Sequence, residues 1–224
     1  KFDSHLFLKK GLIKKSKVVF IGPCVDVNKY LIKNKKSKKN FTRVICISRL
    51  LNQKGVMEYL AVANKYKKES NRKNVEFLLV GEIEKNHYDR IDQHLIEDAE
   101  EKKIIKRISW SNNIKLLLKK SDILFLHSYR EGGPRVIVEA AASQIPTVGS
   151  DAIGVRDLII NNKTGFITKV KNVNLAYKAL KKLIDNKKLL KNFGKNALNL
   201  IAKPISLEKA TEKQLSCYKN SKII

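Results

Sequence analysis

Residues 123–143 read ILFLHSYREGGPRVIVEAAAS, a stretch typical of a strand, a tight turn and a helix in succession. The run Ile123 to Leu126 is short and entirely apolar, which predicts a buried strand. Pro134 is placed as a proline in the first turn of the helix that follows, and Gly132 and Gly133 leave the turn without side chains. Because backbone N–H groups at the start of such a helix can face an anion, the stretch predicts a phosphate-binding turn.

Short apolar runs alternate with longer amphipathic ones from residue 43 onward. Strands alternating with helices predict an α/β fold, a Rossmann-like doubly wound parallel sheet with a ligand crevice outside the carboxyl ends of its strands. The predicted strands are Val44 to Ile47, Val75 to Val80, Ile104 to Ile108, Ile123 to Leu126, Ile145 to Val148 and Gly165 to Ile167. The predicted helices between them are Gly55 to Lys68, Tyr88 to Lys102, Ile114 to Lys120 and Arg135 to Ser143.

The two ends of the chain differ from this pattern. Near the start, Val18 to Ile21 predicts one further strand, and the charged stretch Lys33 to Lys39 predicts a solvated loop. The C-terminal part predicts consecutive helices with no strand between them, and Pro204 separates the last two. These helices are Leu175 to Ile184, Leu189 to Ala202 and Leu207 to Tyr218.

The composition is that of a globular, strongly basic protein. The 224 residues are 43% hydrophobic, enough for a sizeable core, and no apolar run approaches the roughly 20 residues that cross a bilayer. The 47 basic residues exceed the 21 acidic ones, a balance that attracts nucleic acid, anionic lipid and phosphorylated metabolites alike. The cysteines, Cys24, Cys46 and Cys217, are too far apart to predict a zinc or disulfide framework, and we expect a reducing cytoplasm and a buried Cys46.

Two carboxylates accompany the glycine turn. Glu131 lies at the predicted mouth of the crevice, and Glu139 follows within the predicted helix. Carboxylates are unsuited to binding phosphate but well suited to accepting hydrogen bonds from sugar hydroxyls. The structural alternative is that Glu131 caps the helix while Glu139 is merely solvated. Their attachment to a turn between a strand and a helix favours binding.

Cationic side chains follow another predicted strand. Arg49 and Lys54 emerge at its carboxyl end, on the same rim as the glycine turn if the sheet is parallel, where two cations could clamp a diphosphate. Trp110 follows a third strand and either stacks on a base or packs in a loop, and His127 is either packed or in contact with the ligand. The remaining substrate-binding candidates flank these groups: Ser48, Gly132, Gly133, Pro134 and Arg135.

These segments resemble the donor-binding half of retaining glycosyltransferases of family 4, whose GT-B fold has two facing Rossmann-like domains. Ser48-Arg49-Leu50 with Lys54-Gly55 resembles the family's G/S-R-L-x-x-x-K-G segment, and Glu131 with Glu139 matches its E-x7-E motif. Gly133 stands where many relatives carry a bulky side chain. The further matching segments are Ile153 to Ile159, Thr164 to Ile167 and, near the domain junction, Ile21 to Asp26.

The resemblance implies roles for these residues. Arg49 and Lys54 would hold the donor diphosphate with the backbone of Gly132 and Gly133, Glu131 would bind the donor sugar, and Glu139 the ribose. On this basis Glu131, Arg49 and Lys54 are the catalytic candidates. The donor would be a nucleotide sugar, most simply UDP-hexose or UDP-N-acetylhexosamine, with no metal ion or other cofactor. The wording around Glu131 is most similar to members that build bacterial surface polysaccharides on lipid carriers.

The resemblance also implies a domain organisation. Residues 1–16 would be a remnant of an N-terminal acceptor domain or a linker, residues 17–203 the nucleotide-sugar-binding domain, and residues 204–224 a crossover helix. Without the acceptor domain, we expect the chain to bind donor weakly and to transfer nothing. A cytoplasmic location is expected, and whether the lysines contact anionic lipid at the inner membrane face stays open.

A basic nucleic-acid-binding α/β domain is the main alternative. It would need aromatic residues interleaved with Arg on one face, whereas aromatic residues are 7% of the chain and lie mostly in apolar runs, so no nucleic-acid partner is expected. A dinucleotide-dependent oxidoreductase would need G-x-G-x-x-G after a strand, which is absent from this sequence. A noncatalytic scaffold fits poorly with both carboxylates and both cations being retained.

Overall fold

Six parallel strands form a single sheet in the computed structural model, which describes residues 2–14, 18–19, 21–32, 41–70, 74–84 and 86–220. The strand order is β3-β2-β1-β4-β5-β6, and the predicted doubly wound α/β fold is confirmed. Central β1 pairs with β2 through Val44 and Phe77 and with β4 through Ile45 and Leu124. The strands are β1 Thr42–Ile47, β2 Val75–Val80, β3 Lys106–Ile108, β4 Ile123–Leu126, β5 Thr147–Ser150 and β6 Gly165–Thr168.

Helices cover both faces of the sheet, because alternate residues of the central strands point to opposite sides. Val44 and Cys46 pack into a cluster with α3, α4 and α7, whereas Ile45 packs on the other side with α6 and its neighbours. Cys46 is 1% exposed, as predicted, and burial raises the pKa of its thiol to about 12. The helices are α1 Phe2–Lys9, α2 Val27–Tyr30, α3 Val56–Glu69, α4 Gln93–Glu101, α5 Ile114–Lys119, α6 Arg135–Ala142, α7 Val173–Asp185, α8 Lys187–Ala197 and α9 Leu207–Asn220.

Several element boundaries differ from the prediction for local reasons. The strand predicted from Ile145 begins at Thr147, after Pro146, which has no N–H group to donate to a ladder. The helix predicted from Tyr88 begins at Gln93, because the Asp92 carboxylate caps it by accepting from the His94 N–H at 3.0 Å. The helix predicted to end at Ala202 is α-helical only to Ala197 and then continues as a π-helical turn.

The N-terminal part packs differently from the prediction. Residues 18, 19 and 21 belong to no strand, so the strand predicted at Val18 to Ile21 is wrong for the positions described, while the lysine-rich stretch Lys33 to Lys39 lies outside the described residues. Instead, Val25 bridges to Ser206, and its carbonyl accepts from the Leu207 N–H at 2.8 Å. This bridge joins the segment before α2 to the start of α9. Among the helices described, none is long and apolar enough to cross a bilayer.

Candidate nucleotide-sugar site

The strand order places two loops side by side at the centre of the sheet. From β1 the chain moves outward to β2 and β3, and it then returns to lay β4 on the other side of β1. The segments that follow β1 and β4 therefore leave the same edge of the sheet as neighbours. Such a reversal of strand order opens a crevice at the carboxyl ends of the strands, where ligands of doubly wound sheets bind.

Lys54 and Glu131 meet in this crevice. The Lys54 Nζ lies 2.8 Å from the Glu131 Oε1, and both side chains are only 15% exposed. Lys54 ends a 3-10 turn, Asn52–Lys54, before Gly55, whose φ is +71°. A Cβ at Gly55 would lie 2.2 Å from the carbonyl oxygen of His127, so only glycine lets the Lys54 turn approach the end of β4.

Ser128 completes the group that we call the Lys54–Glu131 cluster: Lys54, Ser128 and Glu131. The Ser128 Oγ donates to the Glu131 Oε1 at 2.9 Å, and the Ser128 carbonyl accepts from the Ser150 hydroxyl. Both side-chain contacts to Glu131 go to Oε1. Its Oε2 makes no hydrogen bond among the described residues, so one carboxylate oxygen is left for a ligand.

A third loop supports Glu131 from the β5 side. The Glu131 N–H donates to the Ile153 carbonyl at 3.1 Å. Gly154 follows with φ +83°, and a Cβ there would lie 2.0 Å from the Glu131 carbonyl oxygen. Two features therefore require glycine at position 154: the positive φ and the close approach of its backbone to the Glu131 carbonyl.

The glycine turn leads into α6 as predicted, with one difference. Pro134 is the N-cap residue of α6, with an extended ψ of 111°, and the first helical residue is Arg135, so the prediction that Pro134 lies inside the first turn is wrong by one position. Among the described residues, none has an atom within 4 Å of where a Cβ of Gly132 would lie, and at Gly133 the nearest is the Pro23 ring at 3.3 Å. The ring therefore limits the room for a side chain at Gly133.

Glu139 lies along α6 beside a second ionisable group. Its carboxylate is 13% exposed and lies 4.0 Å from the guanidinium of Arg135. Burial and then the negative charge of Glu139 raise the pKa of Tyr30 to about 12. Tyr30 is protonated at neutral pH with or without this shift, and the shift reflects its place beside the Glu139 carboxylate. The sequence did not point to Tyr30, because no local pattern connects α2 with a helix more than a hundred residues later.

A cavity of about 330 Å³ lies beyond the Lys54–Glu131 cluster, at the ends of β1, β2 and β3. We call it the Trp110 cavity; its lining includes Ser48, Arg49 and Trp110, so three of the predicted residues meet there. Trp110 is 61% exposed, so its ring is not packed into the core of the described structure. The Arg49 guanidinium lies 3.3 Å from Glu84 Oε1, and its side chain is 57% exposed.

The predicted residues thus form neighbouring groups. Lys54 contacts Glu131 directly, whereas the Arg49 guanidinium pairs with a different carboxylate, that of Glu84. His127 is fully buried, stacks on Phe125, and its Nε2 lies 2.8 Å from the Thr168 hydroxyl. Burial lowers the pKa of His127 to about 4, so the imidazole is neutral and belongs to the packing beneath the crevice.

The fold and the crevice define the chain as a Rossmann-like α/β domain. Comparison with known families goes further: the model of the family described as glycosyl transferases group 1 matches residues 28–200. The chain belongs to this family.

Several proteins similar to this chain are named as glycosyltransferases. The chain is 27% identical over 226 residues to UDP-Gal:alpha-D-GlcNAc-diphosphoundecaprenol alpha-1,3-galactosyltransferase from Escherichia coli, covering 96% of the chain and 57% of that protein. It is 23% identical to the capsular polysaccharide biosynthesis glycosyltransferase CapM from Staphylococcus aureus, with 96% and 58% covered. A glycosyltransferase crystal structure from Rickettsia africae superimposes with a TM-score of 0.82 at 22% identity, covering 98% of this chain and 61% of that one. The chain thus spans less than two thirds of each of these relatives.

Proposed function

We propose that this chain is the donor-binding domain of a retaining family 4 glycosyltransferase. The enzyme would move a sugar from a nucleoside diphosphate to a glycan or lipid-linked acceptor. The observation that carries the proposal is the contact between Lys54 and Glu131 at the point where the strand order reverses. It brings together a group for the diphosphate and a group for the sugar, as a nucleotide sugar requires.

The groups that bind the donor diphosphate would have to stabilise it as a leaving group. As the bond between the sugar and the phosphate breaks, negative charge grows on the diphosphate. Lys54, Arg49 and the backbone N–H groups of Gly132 and Gly133 would stabilise that charge, and fixed donors of this kind contribute about 3 kcal/mol each. These groups would replace a divalent metal ion. The acceptor would arrive on the face from which the diphosphate leaves, so the configuration is retained.

Carboxylates serve the hydroxyl-bearing parts of the donor. Glu131 Oε2 would accept from a hydroxyl of the sugar while Oε1 keeps Ser128, and the Lys54 ammonium would turn towards the diphosphate. Glu139 would accept from the ribose. The base would lie in the Trp110 cavity, where the exposed indole offers a stacking surface.

The names of the relatives support the choice of donor and acceptor. One is a UDP-Gal transferase acting on a diphosphoundecaprenol-linked sugar and another belongs to capsular polysaccharide biosynthesis. We infer a UDP-hexose or UDP-N-acetylhexosamine donor and surface polysaccharide synthesis. The acceptor site would lie on an N-terminal domain beyond this chain. A cytoplasmic enzyme whose lysines touch anionic lipid at the inner membrane face would suit such an acceptor.

Family membership weighs against the nucleic-acid alternative. Thermal-shift measurements and calorimetry with UDP, GDP, ADP, NAD and a short oligonucleotide separate the two functions. We expect stabilisation by one nucleoside diphosphate, and an affinity at least tenfold lower in Lys54→Met, because the variant loses the phosphate-binding cation.

Lys102→Met is the matched control, since Lys102 is exposed and, among the described residues, its ammonium pairs with Asp98 of α4. It should bind like the wild type. Binding of the oligonucleotide alone, with steep salt dependence, would overturn the proposal.

A further inference from the structure

A buried carboxylate lies directly behind the candidate site. Glu58, in the first turn of α3, is 6% exposed. Its Oε1 accepts a hydrogen bond from the Tyr129 hydroxyl at 2.7 Å, and its Oε2 is buried without a partner in the described structure. The positive end of the α3 dipole offsets part of the desolvation of such a charge, but an aliphatic side chain would pack there at lower cost.

Tyr129 ties two segments of the site together. Its backbone N–H donates to the Gln53 carbonyl at 2.8 Å, and its hydroxyl reaches Glu58. Gln53 and Glu58 lie on either side of Lys54, and Tyr129 lies two residues before Glu131. The Tyr129 contacts therefore hold the backbone around Lys54 against the loop that carries Glu131.

The Tyr129 contacts with Gln53 and Glu58 matter most when a ligand is bound. In the free chain, Lys54 and Glu131 also hold each other directly. A nucleotide sugar would draw Lys54 to its diphosphate and Glu131 to its hexose, and the direct contact would be lost. The Tyr129–Glu58 bond remains, because Glu58 is too buried for a ligand in the crevice to reach.

Resting on the function proposed above, we propose that Glu58, acting through Tyr129, is a positioning residue that keeps Lys54 and Glu131 at the separation a nucleotide sugar requires. Burial and then the Glu58 hydrogen bond raise the pKa of Tyr129, as expected for a phenol that donates to a carboxylate. Lys171 covers the Tyr129 ring, with its Nζ 4.9 Å from the centroid, and leaves the hydroxyl facing Glu58.

The test compares a ligand that spans both groups with one that does not. UDP would use the groups for the base, the ribose and the diphosphate but not Glu131, whereas UDP-glucose and UDP-N-acetylglucosamine would need Lys54 and Glu131 at the correct separation. We expect the affinity for the nucleotide sugar relative to UDP to fall about fivefold in Tyr129→Phe and in Glu58→Leu, and no further in the double variant. Glu58→Gln keeps an acceptor for the phenol and should restore most of the ratio. Calorimetry measures the dissociation constants for UDP and for each nucleotide sugar, at a temperature well below the melting temperature of every variant.

Tyr66→Phe is the matched control, because Tyr66 lies on the same helix with a buried hydroxyl that has no partner among the described residues. An unchanged ratio in Tyr129→Phe and Glu58→Leu, even with lower melting temperatures, would overturn the inference while the proposed function stands. If Glu58→Leu does not fold, Tyr129→Phe decides alone. If the wild-type chain binds neither UDP nor a UDP-sugar, the proposed function fails first and the inference fails with it.

Discussion

The Lys54–Glu131 cluster and the Trp110 cavity lie at the same edge of the sheet but are built differently. In the cluster, both charged side chains are 15% exposed and are held by side-chain and backbone contacts from the segments that follow β1, β4 and β5. In the cavity, Arg49 is 57% exposed and Trp110 61%, and the one ion pair that the described structure shows for Arg49 is a surface contact with Glu84. Under the proposed function, the cluster side of the site is therefore arranged before the donor binds, whereas the cavity side depends more on the ligand.

The largest effect should come from the loop that supports the cluster. In Gly154→Ala, the new Cβ would meet the Glu131 carbonyl at 2.0 Å and the residue would hold φ +83°, so the loop must move. We expect a loss of about 3 kcal/mol in the free energy of unfolding, together with loss of UDP-sugar binding. Chemical denaturation and calorimetry measure the two effects.

Gly132→Ala is the control for this substitution, since a Cβ there would have no atom of the described structure within 4 Å. Its stability should stay within about 0.5 kcal/mol of the wild type. Equal losses in the two variants would mean that the cluster is no more pre-arranged than the turn beside it.

The packing beneath the cluster should respond to pH. The pKa of His127 is lowered by burial from 6.5 to about 4, so between these values the unfolded chain takes up a proton that the folded chain does not. The contribution of the neutral His127 to the free energy of unfolding is therefore fully present above about pH 6.5. It is lost as the pH drops towards 4, by roughly 3 kcal/mol at most.

Thermal unfolding between pH 4 and 7 checks this, and His127→Gln should flatten the dependence. His94→Gln is the matched control, because the His94 side chain is 89% exposed. If the two variants give the same slope, His127 does not titrate as its burial requires.

A substitution in the Trp110 cavity should change the affinity for UDP less than one in the Lys54–Glu131 cluster. Arg49→Ala removes a cation that solvent screens, so the affinity for UDP should fall about threefold to fivefold, less than in Lys54→Met. Calorimetry at fixed ionic strength measures both. An Arg49→Ala loss as large as that of Lys54→Met would show that the cavity is as strongly organised as the cluster.

The smallest effect should come from Glu84→Gln. The exposed pair that it removes is weak, and its loss frees Arg49 for phosphate. We expect the affinity for UDP to rise by about twofold or less in the same calorimetric titration. A fall in affinity would show that Glu84 holds Arg49 in its binding position.

Local sequence patterns were enough for most of the fold. The strand Ile123 to Leu126 and the glycine turn after it follow from side-chain spacing, which depends only on neighbours in the chain. Boundaries failed where one local group decided them: the missing N–H of Pro146 and the capping carboxylate of Asp92. The wrong strand at Val18 to Ile21 shows the limit of the method, because a short apolar run does not say whether a sheet edge is available to pair with it.

The sequence by itself determined the parallel α/β class, the segments that carry Lys54 and Glu131, and their resemblance to glycosyltransferases. Tertiary structure alone decided that β4 lies against β1, which turns two distant segments into a contact of 2.8 Å. It also decided that Arg49 faces Glu84 and that Tyr129 reaches Glu58. The physical reason is that periodicity and turn chemistry act over a few residues, whereas strand order and side-chain pairing depend on packing between segments far apart in the chain.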